Sequence, residues 1–185
     1  MKLAALIVDN RDIDFNPIYR RHTNFLPKNT PVVHYKTTDT STIAGYNKLL
    51  TNSHFWSEFT NYDRVLIFQH DSGLLRHGIE QFYQYDYIGA PWKFQNHGGN
   101  GGLSLRNPKI MKDLFSRYPY HSTTINEDVY ISNIMFQKKI GNLAPISACS
   151  LFSVETIFQL NTLGYHAIDK YHDPQRVKMI IEQYM

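Results

Sequence analysis

The chain has 185 residues, 42% hydrophobic and 19% charged, a globular composition whose length fits one compact domain over 1–185. Its 19 Lys and Arg against 16 Asp and Glu leave a formal charge of +3 with no basic run, which argues against the phosphate-neutralising face of a nucleic-acid binder. One cysteine, Cys149, excludes an intrachain disulfide and a thiolate-rich zinc site, and no apolar stretch reaches the length of a signal core or membrane span, so cytoplasmic residence is expected.

Leu3 to Val8 is a continuous apolar run closing on Asp9, Asn10 and Arg11, the pattern of a buried strand. Pro31 to Tyr35 predicts a second strand, Ile43 to Phe59 a helix, and Val65 to Phe68 a third buried strand that ends in Gln69, His70 and Asp71. A helix is predicted over Leu75 to Tyr83, then an extended piece from Asp86 to Ala90 before Pro91 and Trp92. The glycine-rich Gly98 to Gly102 leads into the alternating Leu103, Ser104, Leu105 and Arg106, which predicts a half-buried strand. Asn107 and Pro108 cap and open a helix that turns Ile110, Met111, Leu114 and Phe115 inward. Glu127 and Asp128 begin another helix that Gly141 could end, and Asp173 and Pro174 open a last one with Val177, Ile180, Ile181 and Tyr184 on one face. Strands alternating with helices predict an α/β fold with a mainly parallel sheet, whose ligand lies beyond the carboxyl ends of the strands. That rule directs attention to Asp9 to Arg11, Gln69 to Asp71, and Arg106.

Four segments carry residues suited to chemistry. VLIFQHDS sets Asp71 past a buried strand, where a carboxylate meets a hard cation shared with substrate phosphates or, equally, caps a following helix. GGNGGLSLR is either a backbone that a ligand approaches closely at Gly101 and Gly102 or a plain glycine loop, and it matches neither usual phosphate-loop pattern. In INEDVY, Glu127 and Asp128 occupy a first helical turn, where the helix dipole favours negative charge and where a carboxylate in a dry cleft also serves as a general base. GYHAIDKYH supplies His166 and His172, of which His166 is the better placed. Trp92 reads as a stacking wall for a ligand or as a buried core residue.

Taken in order, VDNR, YNKLLTNSHFW, VLIFQHDS, DYIGAPW, GNGGLSLR, EDVY and GYH resemble a domain-of-unknown-function family of glycosyltransferase-like proteins, with a distant similarity to Fringe and beta-1,3-galactosyltransferases. The resemblance implies a single GT-A, Rossmann-like domain that moves a hexose from a nucleoside-diphosphate-sugar, a UDP-sugar above all, to a glycan or protein hydroxyl with inversion. It implies Mn²⁺ or Mg²⁺ on Asp71 and His166, and a base at Asp128 with Glu127 in reserve. Asp9, Asn10, Arg11, Asn47, Lys48, Gln69, His70, Gly101 and Gly102 would bind the nucleotide-sugar, and Trp92 and Arg106 the acceptor. One departure stands out: Gln69 occupies the first position of the usual D-x-D metal motif, leaving one carboxylate. That departure keeps open a non-catalytic module that binds nucleotide-sugar or glycan.

Overall fold

β1 (Leu3–Val8) is buried along its whole length because apolar clusters cover both faces of the sheet it belongs to. The computed structural model describes residues 1–122 and 124–185, and of residue 39 the backbone alone. After α1 (Asn16–Thr23) the chain forms β2 (Val32–Tyr35), a short 3-10 turn over Thr38–Ser41, α2 (Ile43–Leu50), α3 (Ser53–Ser57) and β3 (Arg64–Phe68). β4 (Ser72–Leu74), a second 3-10 turn, β5 (Tyr87–Ala90) and β6 (Asn100–Arg106) follow, then α4 (Pro108–Arg117), α5 (Glu127–Lys138) and α6 (Ile146–Phe152). β7 (Ser153–Val154), β8 (Gly164–His166), α7 (Ile168–Tyr171) and α8 (Pro174–Glu182) complete the chain.

The main sheet has the order β2-β1-β3-β6-β5. β1 pairs in parallel with β2 and β3, whereas β6 is antiparallel to both β3 and β5. The sheet is therefore mixed rather than mainly parallel. The physical reason lies in the connection from β5 to β6, which turns back through residues 91–99 with no crossover helix, so the second strand must run opposite to the first. On one face Leu66, Phe68, Leu103 and Leu105 pack with Ile18 of α1 and Cys149 and Phe152 of α6. On the other, Leu6, Val65 and Ile67 pack with Trp56 of α3, Met111 and Leu114 of α4, and Ile131 of α5. Covered on both sides, β6 is fully buried from Gly101 to Arg106 rather than half-buried as its alternation suggested.

A second sheet, β4-β8-β7, stands at one end of the first. Its strands have only two or three residues each, too short for a periodic signal, and none was expected from sequence. The helix expected over Leu75 to Tyr83 reduces to the 3-10 turn Ile79–Phe82, because Gly78 takes φ +111° and breaks any helical entry. The long helix expected from Ile43 splits at Asn52, whose side chain caps α3 by accepting from His54 N at 2.8 Å. The caps at Asn107 and Asp173 form as expected. α5 stops at Lys138, with Lys139 in the left-handed cap position two residues before Gly141. No helix among the described residues is long and apolar enough to cross a membrane.

Candidate functional site

β1 and β3 are parallel, so Asp9, Asn10 and Arg11 emerge at the same sheet edge as Gln69, His70 and Asp71. β6 runs the other way and therefore brings its beginning, Asn100 to Gly102, to that edge, where Gln69 N donates to Gly102 O at 2.9 Å. A cleft of about 540 Å³ opens there. It is lined by Asp9, Asn10, Arg11, Asn47, Gln69, His70, Gly101, Gly102, Glu127, Asp128 and His166, so segments far apart in the chain converge on one place.

Asp128 forms part of the wall. Its Oδ2 accepts the Gly101 N–H at 2.9 Å and its Oδ1 the Val129 N–H at 2.7 Å, so the first turn of α5 and the start of β6 fix the carboxylate between them. Burial pushes its pKa above the usual range, and the two amide bonds only partly offset that. Glu127 has a different task. Both of its oxygens are held by Arg106, with Nη1 to Oε2 and Nη2 to Oε1 each 3.0 Å, in a fully enclosed bidentate pair. Burial raises the Glu127 carboxyl and the guanidinium opposes it.

Arg106 is wholly buried and cannot touch an acceptor, contrary to the expectation from its place after a strand. Because β6 is antiparallel, its last residue lies at the edge opposite the cleft. The side chain then runs back along its own strand past Ser104 Oγ, to which Nε donates at 2.9 Å, and reaches Glu127 from beneath. The Trp56 and Tyr87 rings lie 5.8 and 5.3 Å from its guanidinium carbon.

At the other side of the cleft His166, on β8, sits between carboxyl and amide oxygens. Nδ1 donates to Glu155 Oε1 at 3.1 Å and Nε2 to Gln69 Oε1 at 3.0 Å, with Asp71 Oδ1 3.4 Å from Nε2. Burial disfavours the imidazolium, but Asp71 and Glu155 outweigh it and lift the pKa to about 9. The same contact acts on Asp71: burial raises its pKa and His166 more than reverses the shift, for a net lowering. Asp71 precedes β4, not a helix, so the capping role weighed for it has no object.

Gly101 and Gly102 have a definite steric purpose. A Cβ on Gly102 would lie 2.2 Å from His166 Nε2, and one on Gly101 2.5 Å from Glu127 Oε1. The bare backbone thus seats His166 and Glu127. Asn47 takes a supporting role, accepting the Glu127 N–H at 3.3 Å through its Oδ1. Lys48 is exposed and does not line the cleft. Asp9 is tied to Arg11, whose N and Nε donate to its Oδ1 at 3.0 Å each; burial raises Asp9 and Arg11 pulls it below the usual carboxylate range. Trp92 is buried outside the cleft, stacked behind Phe94. His172 donates to the Glu155 carbonyl and lies outside the lining as well.

Sequence reasoning missed Glu155, Tyr46, Asn100, Asn126, Thr42, Lys170 and Tyr171, all of which line the cleft. Tyr46 has a buried hydroxyl without a hydrogen-bond partner among the described residues. Its pKa is raised, first by burial and then by Glu127. Tyr46 adjoins Asn47 within the segment read as helical, but adjacent helical residues do not share a face, so nothing in the pattern singles it out, and nothing around Glu155 marks that residue either.

The geometry defines an α/β domain with a polar cleft at one edge of its main sheet, walled by buried carboxylates and by a histidine held between two of them. The chain belongs to the DUF5672 family, proteins of unknown function, which it matches over residues 29–166. It is similar in fold to A197 from STIV, known from a crystal structure, with a TM-score of 0.51 and 14% identity over 78% of this chain and 81% of that one. No curated protein matches it.

Proposed function

We propose that the protein is a cytoplasmic glycosyltransferase of GT-A type that moves a hexose from a nucleoside-diphosphate-sugar, with UDP-sugars the first candidates, to a hydroxyl of a glycan or protein. The observation that carries this reading is Asp128: a carboxylate fixed by two backbone amides in a cleft wall, raised by burial, and free of any cationic side-chain hydrogen bond, unlike its neighbour Glu127. Each of its oxygens keeps a lone pair beyond the amide bond it accepts, and a raised pKa makes it the stronger proton acceptor. In the reaction the acceptor oxygen bonds to the anomeric carbon from the face opposite the diphosphate, its proton passes to Asp128, and the bond from that carbon to the diphosphate oxygen breaks. The result is inversion in a single displacement.

The donor set bears on the cation that the resemblance implies. Asp71 fits one only in part: its Oδ1 makes no close hydrogen bond among the described residues, but it faces His166 Nε2 at 3.4 Å and His70 Nδ1 at 3.7 Å and lies outside the cleft lining, so a cation held there with substrate phosphates would have to replace those contacts. His166 does not fit, because both ring nitrogens donate to internal partners. No group of three or more His, Cys, Asp or Glu suited to a metal occurs among the described residues. Mn²⁺ or Mg²⁺ on Asp71 would neutralise charge on the departing diphosphate. His166 instead holds Asp71 in place.

The test is a thermal-shift and hydrolysis screen of nucleotide-sugars with and without Mn²⁺, since a ligand specific to the folded state raises its stability. At least one donor is expected to stabilise the protein and to be turned over. Asp71→Asn is expected to remove the Mn²⁺-dependent part of the shift; an unchanged shift would take the cation away from this residue. Gln69 in place of a carboxylate favours a second reading, a module that binds nucleotide-sugar or glycan without turnover. Donor binding without hydrolysis or transfer would select it.

A further inference from the structure

α5 opens without the cap its sequence supplies. Thr42, Asn52, Asn107 and Asp173 each turn a side-chain oxygen onto an amide of the helix they start, whereas Asn126, in the same position before α5, makes no such bond. The first-turn amides of α5 are served from elsewhere: Asn47 Oδ1, on α2, accepts the Glu127 N–H at 3.3 Å, and Asp128 Oδ1 accepts the Val129 N–H at 2.7 Å. With its oxygen engaged, Asn47 gives through Nδ2, which donates to Asn126 Oδ1 at 3.4 Å. Asn126 is thereby oriented. Its oxygen turns to α2, and its own Nδ2, on the lining of the cleft, has no partner among the described residues.

The glycine edge orients a second amide in the same way. Gly101 N donates to Asp128 Oδ2 at 2.9 Å, and the next amide, Gly102 N, donates to Asn100 Oδ1 at 2.7 Å. A backbone N–H can only donate, so it fixes which end of Asn100 is oxygen, as Glu127 N does for Asn47. Asn100 lines the same cleft, and its Nδ2 also has no partner among the described residues. Asp128, which only accepts when ionised, therefore stands with an unspent amide donor on each of the two segments that hold it, the start of β6 and the entry to α5.

We propose that Asn100 and Asn126 select a cyclic polyol as the acceptor: a pyranose whose attacking hydroxyl has oxygens on the neighbouring ring carbons, in preference to a serine or threonine side chain. The attacking hydroxyl gives its proton to Asp128 as its oxygen bonds to the anomeric carbon, while the adjacent oxygens accept from the two Nδ2 groups, so acceptor meets donor at each point. A seryl or threonyl hydroxyl brings the wrong neighbour. The nitrogen on the next carbon is a peptide N–H, a donor, and it leaves an amide donor of the cleft facing a donor. The proposal rests on the glycosyl-transfer reading for which hydroxyl attacks, but the binding of a pyranoside to the two amides is read separately.

The experiment titrates the full chain with the methyl glycosides of glucose, galactose, mannose and xylose, and with N-acetylserine and N-acetylthreonine methylamides, and reads binding by saturation-transfer difference NMR. At least one pyranoside is expected to bind, and more tightly than either amino-acid derivative. Asn126→Asp and Asn100→Asp keep the oxygen that each internal bond uses and remove only the donor, so a merely structural role would leave binding in place. Each is expected to weaken the pyranoside several-fold, and the pair tenfold or more. Asn126→Ala controls for the added charge: it removes no capping bond, so it is expected to fold with a nearly unchanged melting temperature and to weaken binding as Asn126→Asp does. The proposal is overturned if no pyranoside binds, if a seryl or threonyl derivative binds as well as the best pyranoside, if binding survives Asn126→Ala combined with Asn100→Asp, or if a nucleotide-sugar displaces the pyranoside, which would assign the amides to the donor. Pyranoside binding that depends on both amides, in a protein that transfers sugar from no nucleotide donor, supports the amide assignment and removes the transferase reading. Transfer to a peptide hydroxyl with no pyranoside accepted overturns the proposal and keeps that reading.

Discussion

Exchanging Asp128 for Asn separates a catalytic carboxylate from a structural one. The substitution keeps the shape but leaves one oxygen where two buried N–H donors, from Gly101 and Val129, now point. One donor loses its acceptor, which costs about 1–3 kcal/mol of stability. A domain with a margin of roughly 5–15 kcal/mol stays folded. The rate consequence is larger: loss of a positioned base slows transfer by about 10²–10⁴-fold, on the order of 3–5 kcal/mol of barrier. Glu127→Gln makes the comparison, because it leaves the Arg106 guanidinium buried without its counter-charge and is expected to cost about 3–5 kcal/mol of stability. Urea unfolding should therefore rank Glu127→Gln as the more damaging to the fold, and single-turnover transfer by the folded fraction should rank Asp128→Asn as the more damaging to rate. Transfer at the original rate by folded Asp128→Asn would refute the base assignment. An Asp128→Asn protein less stable than Glu127→Gln would refute the reading of the ion pair.

His166 has a folded-state pKa of about 9 against an ordinary 6.5, so its proton contributes stability that is fully present below pH 6.5 and is lost as pH rises through about 9. The shift corresponds to about 3 kcal/mol, and urea midpoints across that range should fall in the native chain and fall less in His166→Gln. Gly102→Ala places a Cβ against the His166 ring and should cost about 1–3 kcal/mol through overpacking, visible as a lower melting temperature; an unchanged one means the ring moves aside freely. Tyr46→Phe removes a buried hydroxyl that has no close hydrogen bond among the described residues, Gln69 being its one side-chain neighbour able to give one, and should leave stability in the free protein unchanged or raise it by about 1 kcal/mol. If Tyr46→Phe lowers stability instead, the hydroxyl has a bonded partner in solution.

Much of the cleft was readable because strand ends are. Val8 and Phe68 close apolar runs, and the polar residues behind them meet at one edge wherever the two strands are parallel, as these are. Arg106 was misplaced by the same rule: it closes a run too, but on a strand of opposite direction, and direction leaves no mark in local composition. Glu155 was invisible for another reason. It follows a two-residue strand, and its partner there, His166, arrives from the next strand. Trp92 illustrates burial overriding chemistry: of its two readings, a stacking wall for a ligand or a buried core residue, the second holds, and its ring backs the one that faces solvent.

The small sheet has a kinetic consequence. β4 pairs Ser72 with His166, Ala167 N donates to Asp71 O at 3.0 Å, and His166 meets Gln69 across 97 positions of sequence. Closing so long a loop early has no local contact to reward it, whereas the β1, β3, β5 and β6 ladders and their helices form through shorter separations. During refolding, far-UV signal and core burial should recover ahead of the histidine wall. On the proposed reading, competence to bind a donor should therefore recover after the glycine edge and Asp128 are in place, and recovery of donor binding together with the far-UV signal would refute that order.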